Sequence, residues 1–339
     1  MIVQMKKDST KKEFDKIVEF LKSKKLEIID ASSDEIRVFG IIGDTTSIEP
    51  QDLYAFEGVK EVTRVSTPFK KASRSFKKND TIIKIGDDIE IGGDQFVMMA
   101  GPCSVESEEQ LRIIAKGVKK AGAKLLRGGA YKPRTSPYAF QGLELEGLKI
   151  LKKIGEETNL KIVTEIPSAD LLPLFEEYVD VIQVGARNMQ NFHLLKALGK
   201  STKPILLKRG LSATIEEWLM SAEYIMAGGN DQVILCERGI RTYEKYTRNT
   251  LDISAVLAVK ELSHLPVIID PSHAAGRWNM IEKLSLASLA VGAHGLIVEV
   301  HHDPEHAMSD GAQSLKIKKF SSMMDELEKV SNVLGKKLR

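Results

Sequence analysis

The sequence predicts an α/β protein, a (β/α)8 TIM barrel preceded by a small ferredoxin-like (βαββαβ) domain. Three observations carry this. Between residues 96 and 298, short apolar runs recur, each followed by a segment long enough for a helix. The runs are apolar throughout, as strands buried on both faces are. Residues 1–69 have a different order, strand–helix–strand–strand–helix–strand.

Residues 2–5 open the first module as a strand. A helix follows over 10–24, where Phe14, Ile17, Val18 and Leu21 recur at helical spacing, with Thr10 and Glu13 set as a reciprocal cap. Residues 26–29 and 36–42 read as strands, 49–56 as a helix and 59–65 as the last strand. The stretch 70–80, with Lys70, Lys71, Arg74, Lys77 and Lys78, is polar and basic and reads as a solvated connection. Residues 81–85 and 89–91 flank Gly86-Asp87-Asp88 as a hairpin. Linker and hairpin therefore occupy 70–95 and the barrel 96–339. Its strands are expected at 96–100, 124–127, 161–164, 181–184, 204–207, 232–236, 266–269 and 295–298. The closing helix, 315–334, carries Phe320, Met323, Met324, Leu327 and Val330 on one face. Eight such units fit a closed barrel better than an open doubly wound sheet. No Gly-x-Gly-x-x-Gly or Walker loop follows any strand, which argues against a nucleotide site.

Composition narrows the classes. The 339 residues are 42% hydrophobic and 28% charged, the profile of a globular protein. Lys and Arg total 49 against 47 Asp and Glu, and a net +2 excludes nucleic acid or an anionic membrane as the default partner. Two cysteines, Cys103 and Cys236, are too few for a disulfide scaffold. The start Met1-Ile2-Val3-Gln4 is neither a signal nor a transit peptide, and glycines and His294 break the longest apolar stretch. The expected compartment is the cytoplasm.

In a barrel the chemistry sits at the C-terminal strand ends. Arg127, Lys132, Arg134, Arg187, Lys208, Arg209 and Arg238 all follow strand ends here. So many cations at one mouth repel each other unless an anionic ligand is present. They point to substrates carrying phosphates and carboxylates, gripped by Arg forks. A second constellation is Cys103, His273 and Glu299 on neighbouring strand ends, with Asp310 in the turn after strand eight, a thiol, an imidazole and two carboxylates. That donor set suits a divalent metal ion, Mn, Fe, Co or Zn. Cys236, inside strand six, reads as core. His301, His302 and His306, around Asp303-Pro304-Glu305, read as a solvated loop. Trp218, Met220 and Tyr224 fall at helical spacing and read as packing.

These residues bring a family into view. The motifs are Ala100-Gly101-Pro102-Cys103-Ser104, Leu126-Arg127-Gly128-Gly129-Ala130-Tyr131-Lys132-Pro133-Arg134-Thr135-Ser136, Gln183-Val184-Gly185-Ala186-Arg187-Asn188, Leu207-Lys208-Arg209-Gly210, Cys236-Glu237-Arg238-Gly239, Asp270-Pro271-Ser272-His273 and Ser309-Asp310-Gly311. In this order the chain resembles 3-deoxy-D-arabino-heptulosonate 7-phosphate (DAHP) synthase, type I-beta, with an N-terminal ferredoxin-like regulatory domain. The nearest rival is 3-deoxy-D-manno-octulosonate 8-phosphate (KDO8P) synthase, which uses arabinose 5-phosphate. In the family pattern Lys-Pro-Arg-Thr-Ser marks users of a four-carbon aldose phosphate, whereas the sister enzyme has a Lys-Ala-Asn-Arg-Ser-type loop. A non-catalytic ligand sensor is the alternative of another class, but such a barrel should have lost a metal ligand or an anion-gripping Arg, and none is lost here.

The resemblance implies condensation of phosphoenolpyruvate with erythrose 4-phosphate and water, releasing phosphate, the first step of the shikimate pathway. It implies that Arg127, Lys132, Arg187, Lys208 and Arg238, with Ala186 and His273 beside them, hold phosphoenolpyruvate. Arg134, Thr135 and Ser136 would hold the aldose phosphate. A metal on Cys103, His273, Glu299 and Asp310 would act on the aldehyde oxygen. Lys132 is the candidate proton donor and Glu165 the candidate for positioning water. The first module would bind a Tyr or Phe effector, and a homotetramer is expected.

Overall fold

The computed structural model describes residues 1–32, 37–43, 45, 48–64, 68–133, 136 and 138–338. The chain divides into two compact units, Met1–Pro68 and Phe69–Arg339.

The first unit runs β1 (Ile2–Met5), α1 (Lys11–Ser23), β2 (Glu27–Asp30), β3 (Val38–Ile42), α2 (Pro50–Tyr54) and β4 (Val59–Thr63). Its sheet has the order β2-β3-β1-β4, with the described pairs antiparallel, as the split βαβ pattern requires. The Thr10 hydroxyl accepts from Glu13 N while the Glu13 carboxylate accepts from Thr10 N, so the expected capping box forms. Ile17 and Leu21 of α1 pack with Val3, Phe39 and Leu53 in a core of this unit's own. Parts of the expected strands at 36–42 and 59–65, namely Ile36 and Val65, lie outside the described residues.

The second unit opens with a segment, residues 69–74, that is docked and not solvated, while residues 75–80 of the expected connection are exposed. Phe69 and Ala72 are buried. The Glu223 carboxylate accepts from the backbone N–H groups of both Lys71 and Ala72, at 3.0 and 2.9 Å. His264 Nε2 lies 2.7 Å from Lys71 O, and Arg74 N donates to Leu262 O at 2.8 Å. The basic side chains join in, Lys71 Nζ donating to Met226 O at 3.1 Å and Arg74 Nη2 to Lys260 O at 2.9 Å, but the backbone contacts that dock the segment are ones composition does not report. The hairpin, β5 (Ile83–Ile85) and β6 (Ile89–Ile91), follows. Its alternate residues Ile83, Ile85, Ile89 and Ile91 join Val97, Leu125, Val181 and Ile268 in one core. It plugs the N-terminal end of the barrel and belongs to it.

The barrel strands are β7 (Val97–Gly101), β8 (Leu125–Arg127), β9 (Lys161–Glu165), β10 (Val181–Val184), β11 (Ile205–Lys208), β12 (Val233–Glu237), β13 (Val267–Ile269) and β14 (Gly295–His301). They pair in parallel in sequence order, and β13 and β14 close the ring through Ile269 and Leu296. Between them lie α3 (Glu108–Lys120), α4 (Glu144–Thr158), α5 (Leu172–Tyr178), α6 (Phe192–Leu198), α7 (Ile215–Ala227), α8 (Ser254–Leu262), α9 (Pro271–Ala275) and α10 (Trp278–Ala290). A short β15 (Leu315–Lys316) precedes α11 (Ile317–Val333), which buries Phe320, Met323, Met324 and Leu327 as expected. Trp218 is fully buried, its indole N–H donating to Leu207 O at 3.1 Å, and Tyr224 stacks on Phe192, so these residues do pack.

Candidate active site

Strand alternation decides which side chain reaches the mouth. Leu125, Val163, Leu206, Ile268 and Ile297 fill the barrel interior. Two residues further along the same faces come Arg127, Glu165, Lys208, Asp270 and Glu299. Lys208 and Cys236 are paired in register, which puts both on the inner face. Arg209 is therefore turned outward. Its guanidinium bonds to Glu237 and Asp252 at 2.9 and 2.8 Å, and it sits beside the Trp218 ring. This corrects the expectation that Arg209 belongs to the cationic mouth.

Lys132, Arg187, Lys208, Arg238, Arg241 and Arg248 line one cavity of about 500 Å³, together with Ser136, Glu165, Ala186, His273 and Asp310. Arg134 and Thr135 lie outside the described residues. Arg127 is buried and is not among the residues that line this cavity. Its Nη1 donates to Glu299 Oε1 at 2.8 Å and to Pro102 O at 2.7 Å, while its Nε has no partner among the described residues. Burial pushes the Arg238 guanidinium below its ordinary pKa, because the charged form loses its hydration.

Two close approaches build this mouth. A Cβ on Gly101 would lie 2.0 Å from Arg127 O, and one on Gly185 would lie 2.0 Å from Glu165 Oε1. At Gly101 the neighbour is fixed backbone, so only glycine fits, whereas a side chain at Gly185 would have to displace the Glu165 carboxylate. Glu165 Oε2 also accepts from Gln183 at 3.0 Å.

The ligand atoms of Cys103, Glu299 and Asp310 lie within 4.8 Å of one another. Cys103 Sγ is 3.3 Å from Asp310 Oδ2, and His273 Nε2 is 3.4 Å from Glu299 Oε1. Lys132 Nζ donates to Cys103 Sγ at 3.0 Å. Three of the four expected metal-ligand candidates thus converge, and the fourth, His273, adjoins them through Glu299. The Cys103 thiol is pushed up to about 12 by burial and next by the Glu299 charge. Burial alone would raise the Glu299 and Asp310 carboxyls, but His273 and Arg127 around the first, and Arg248 and His273 around the second, hold both below their ordinary values. A thiolate here needs a cation, and a thiol, an imidazole and two ionised carboxylates are the donors of a borderline divalent metal. The residues fit one.

His273 stands on α9, whose N-cap is Asp270. Asp270 Oδ1 accepts from His273 N at 3.0 Å. Oδ2 pairs with Lys208 Nζ and lies 2.8 Å from His273 Nδ1, without a well-aligned hydrogen bond. Burial would raise the Asp270 carboxyl, but His273 and Lys208 outweigh it and hold it well below the usual range. Among the residues the sequence reading did not assign, Asp270 had a signal, the Asp-x-x-His spacing of a capped helix. Arg241 and Arg248, on the loop after β12, and Gln313 had none.

The histidine loop divides. His301 is not in a solvated loop. It ends β14, buried, with Nε2 3.2 Å from Gln110 Nε2 and 3.4 Å from Glu106 Oε2. The strand runs on to His301 because β15 pairs with Val300 and His301. His302 and His306 are exposed. Cys236 is core, its thiol pushed upward by burial.

A cationic cavity that meets a thiol–carboxylate cluster with an imidazole beside it, at a barrel mouth, defines a class, the barrel enzymes of small anionic substrates. By sequence the chain belongs to the DAHP synthetase I family, whose model matches residues 78–335, and residues 1–67 match the DAHP synthase ferredoxin-like domain. It is 49% identical over 338 residues to phospho-2-dehydro-3-deoxyheptonate aldolase of Thermotoga maritima, covering 100% of both chains. A crystal structure of DAHP synthase from the same organism superposes with a TM-score of 0.80 at 48% identity, covering 100% of this chain and 99% of that one. A truncated form of the Thermotoga maritima enzyme covers 79% of this chain and 98% of its own, with a TM-score of 0.74 at 50% identity. More distant is 2-dehydro-3-deoxyphosphooctonate aldolase of Syntrophotalea carbinolica, 31% identical over 73% of this chain and 95% of its own.

Proposed function

We propose that this mouth joins phosphoenolpyruvate to erythrose 4-phosphate, adds water and releases phosphate, with the roles below. The carrying observation is that Asp310 belongs both to the cationic cavity and to the thiol–carboxylate cluster, while Lys132 and His273, which line the cavity, contact Cys103 and Glu299 of that cluster. Two polyanions must approach each other, and fixed cations offset their repulsion without reorganising. Arg187, Lys208 and Arg238 grip phosphoenolpyruvate from the cavity wall, and Arg127 offers its unpartnered Nε. Ser136, with Arg134 and Thr135, receives the phosphate of the aldose. Cys103, His273, Glu299 and Asp310 would hold a divalent ion, which when bound would supply Lewis-acid polarisation of the aldehyde. The enol C3 attacks the aldehyde carbon, and Lys132 Nζ gives a proton to the developing alkoxide. Glu165 orients the water that adds at C2 before phosphate leaves. Residues 1–67 bind a Tyr or Phe effector, and the chain assembles as a cytoplasmic homotetramer.

The test supplies phosphoenolpyruvate with either erythrose 4-phosphate or arabinose 5-phosphate and measures phosphate release. Faster release with erythrose 4-phosphate is expected; a preference for arabinose 5-phosphate sinks the substrate reading. Full activity after exhaustive chelation would remove the metal role.

A further inference from the structure

The two acidic members of the ligand cluster are tied together by a pair of residues outside it. Glu299 Oε2 accepts from Gln313 Nε2 at 2.7 Å, and Gln313 Oε1 accepts from Arg248 Nη1 at 2.9 Å. The same Nη1 lies 3.4 Å from Asp310 Oδ1. An amide can present either end to a neighbour, but its orientation here is forced from both sides. Arg248 only donates, so the carbonyl must face it; the Glu299 carboxylate only accepts, so the NH2 must face Glu299. Gln313 is 2% exposed and ends the short turn Gly311–Gln313 that follows Asp310, which itself has φ +50°. Arg248 N donates to Ala275 O at 3.1 Å, which fastens the loop after β12 beside the helix that carries His273.

We propose that Gln313 and Arg248 are positioning residues of the metal centre: Gln313 fixes the rotation of the Glu299 carboxylate, and Arg248 fixes both the Gln313 amide and the Asp310 carboxylate. The inference rests on the metal reading of the cluster. Groups that orient ligands in this way typically contribute about 10–100-fold in metal affinity. Arg248 also permits a test in which two effects have opposite signs. Removing a cation 3.4 Å from Asp310 should, by charge alone, tighten binding of a divalent cation. Removing a positioning group should weaken it.

The experiment titrates the full chain with Co²⁺, reading affinity calorimetrically and the ligand field from the visible absorption of the bound ion. Gln313→Met keeps the volume and removes the amide; Arg248→Met, at an exposed position, keeps the fold testable if the buried substitution does not. Both variants are expected to bind Co²⁺ about 10–100-fold more weakly and with altered spectra. Unchanged affinity and spectrum in the variants, or tighter binding in Arg248→Met, overturns the positioning role. A wild-type chain that takes up no Co²⁺ overturns the metal reading itself, a separate result.

Discussion

Asp270 caps a five-residue helix with one oxygen and faces His273 and Lys208 with the other. The Asp270→Asn substitution keeps the cap and removes the charge. It should leave Lys208 buried without its counter-ion, at a cost of about 3–5 kcal/mol in a denaturant titration. Metal affinity should fall by about 10–100-fold, because the carboxylate behind His273 is gone. His294 supports a different prediction. Its Nδ1 accepts from Val267 N at 3.1 Å, and burial, then Lys260 and Lys336, lower its pKa from 6.5 to about 4. The fold holds the neutral ring, so its stability is complete above 6.5 and is lost as pH falls toward 4, where the unfolded chain binds the extra proton. The loss is on the order of 3 kcal/mol. His294→Asn, which can still accept from Val267 N, should lose less between pH 6.5 and 4; an identical acid slope in both proteins would refute this. At this scale much was legible. Once the strands are located, alternation from Leu206 to Lys208 or from Ile297 to Glu299 places the site, and the same rule turns Arg209 away. Gln313 was illegible, because a glutamine in a loop carries no periodic signal and acquires its role only from the two chain segments that meet it.

At the scale of elements, the apolar runs of the barrel were legible because strands buried on both faces need no pattern beyond hydrophobicity. What the sequence hid is where short elements dock. The hairpin has an ordinary alternating pattern, and nothing in that pattern says that its isoleucines fill the barrel's end. Ile91 is fully buried there. Ile91→Ala should cost about 2–5 kcal/mol by denaturation, as for a core residue, whereas a free hairpin would cost almost nothing. The seam from Phe69 to Arg74 was hidden for another reason, since many of its bonds come from backbone N–H and C=O groups. Glu223→Ala leaves the Lys71 and Ala72 N–H groups without their carboxylate, and should cost about 1–3 kcal/mol per group that stays buried. A melting temperature equal to wild type would show that the seam contributes nothing.

For the whole molecule, the near-neutral balance of 49 against 47 charges conceals a strongly cationic cavity. Net charge therefore says nothing of a local site for small anions. The division into units bears on regulation. The first unit's apolar core is drawn from residues 1–62, and the barrel's cores begin at Phe69, so each has its own. A chain that starts at Phe69 should keep its rate of phosphate release and lose any inhibition by Tyr or Phe. The position of the cut matters. Starting instead at Asp80 would remove Phe69 and Ala72 from the core and strip Glu223 of both its backbone partners. That shorter chain should melt several degrees lower, since about 1 kcal/mol moves the midpoint of a domain this large by roughly 2–4 °C. Inhibition that survives the first cut removes the effector from residues 1–68, while equal melting of the two truncated chains removes the seam from the barrel's stability.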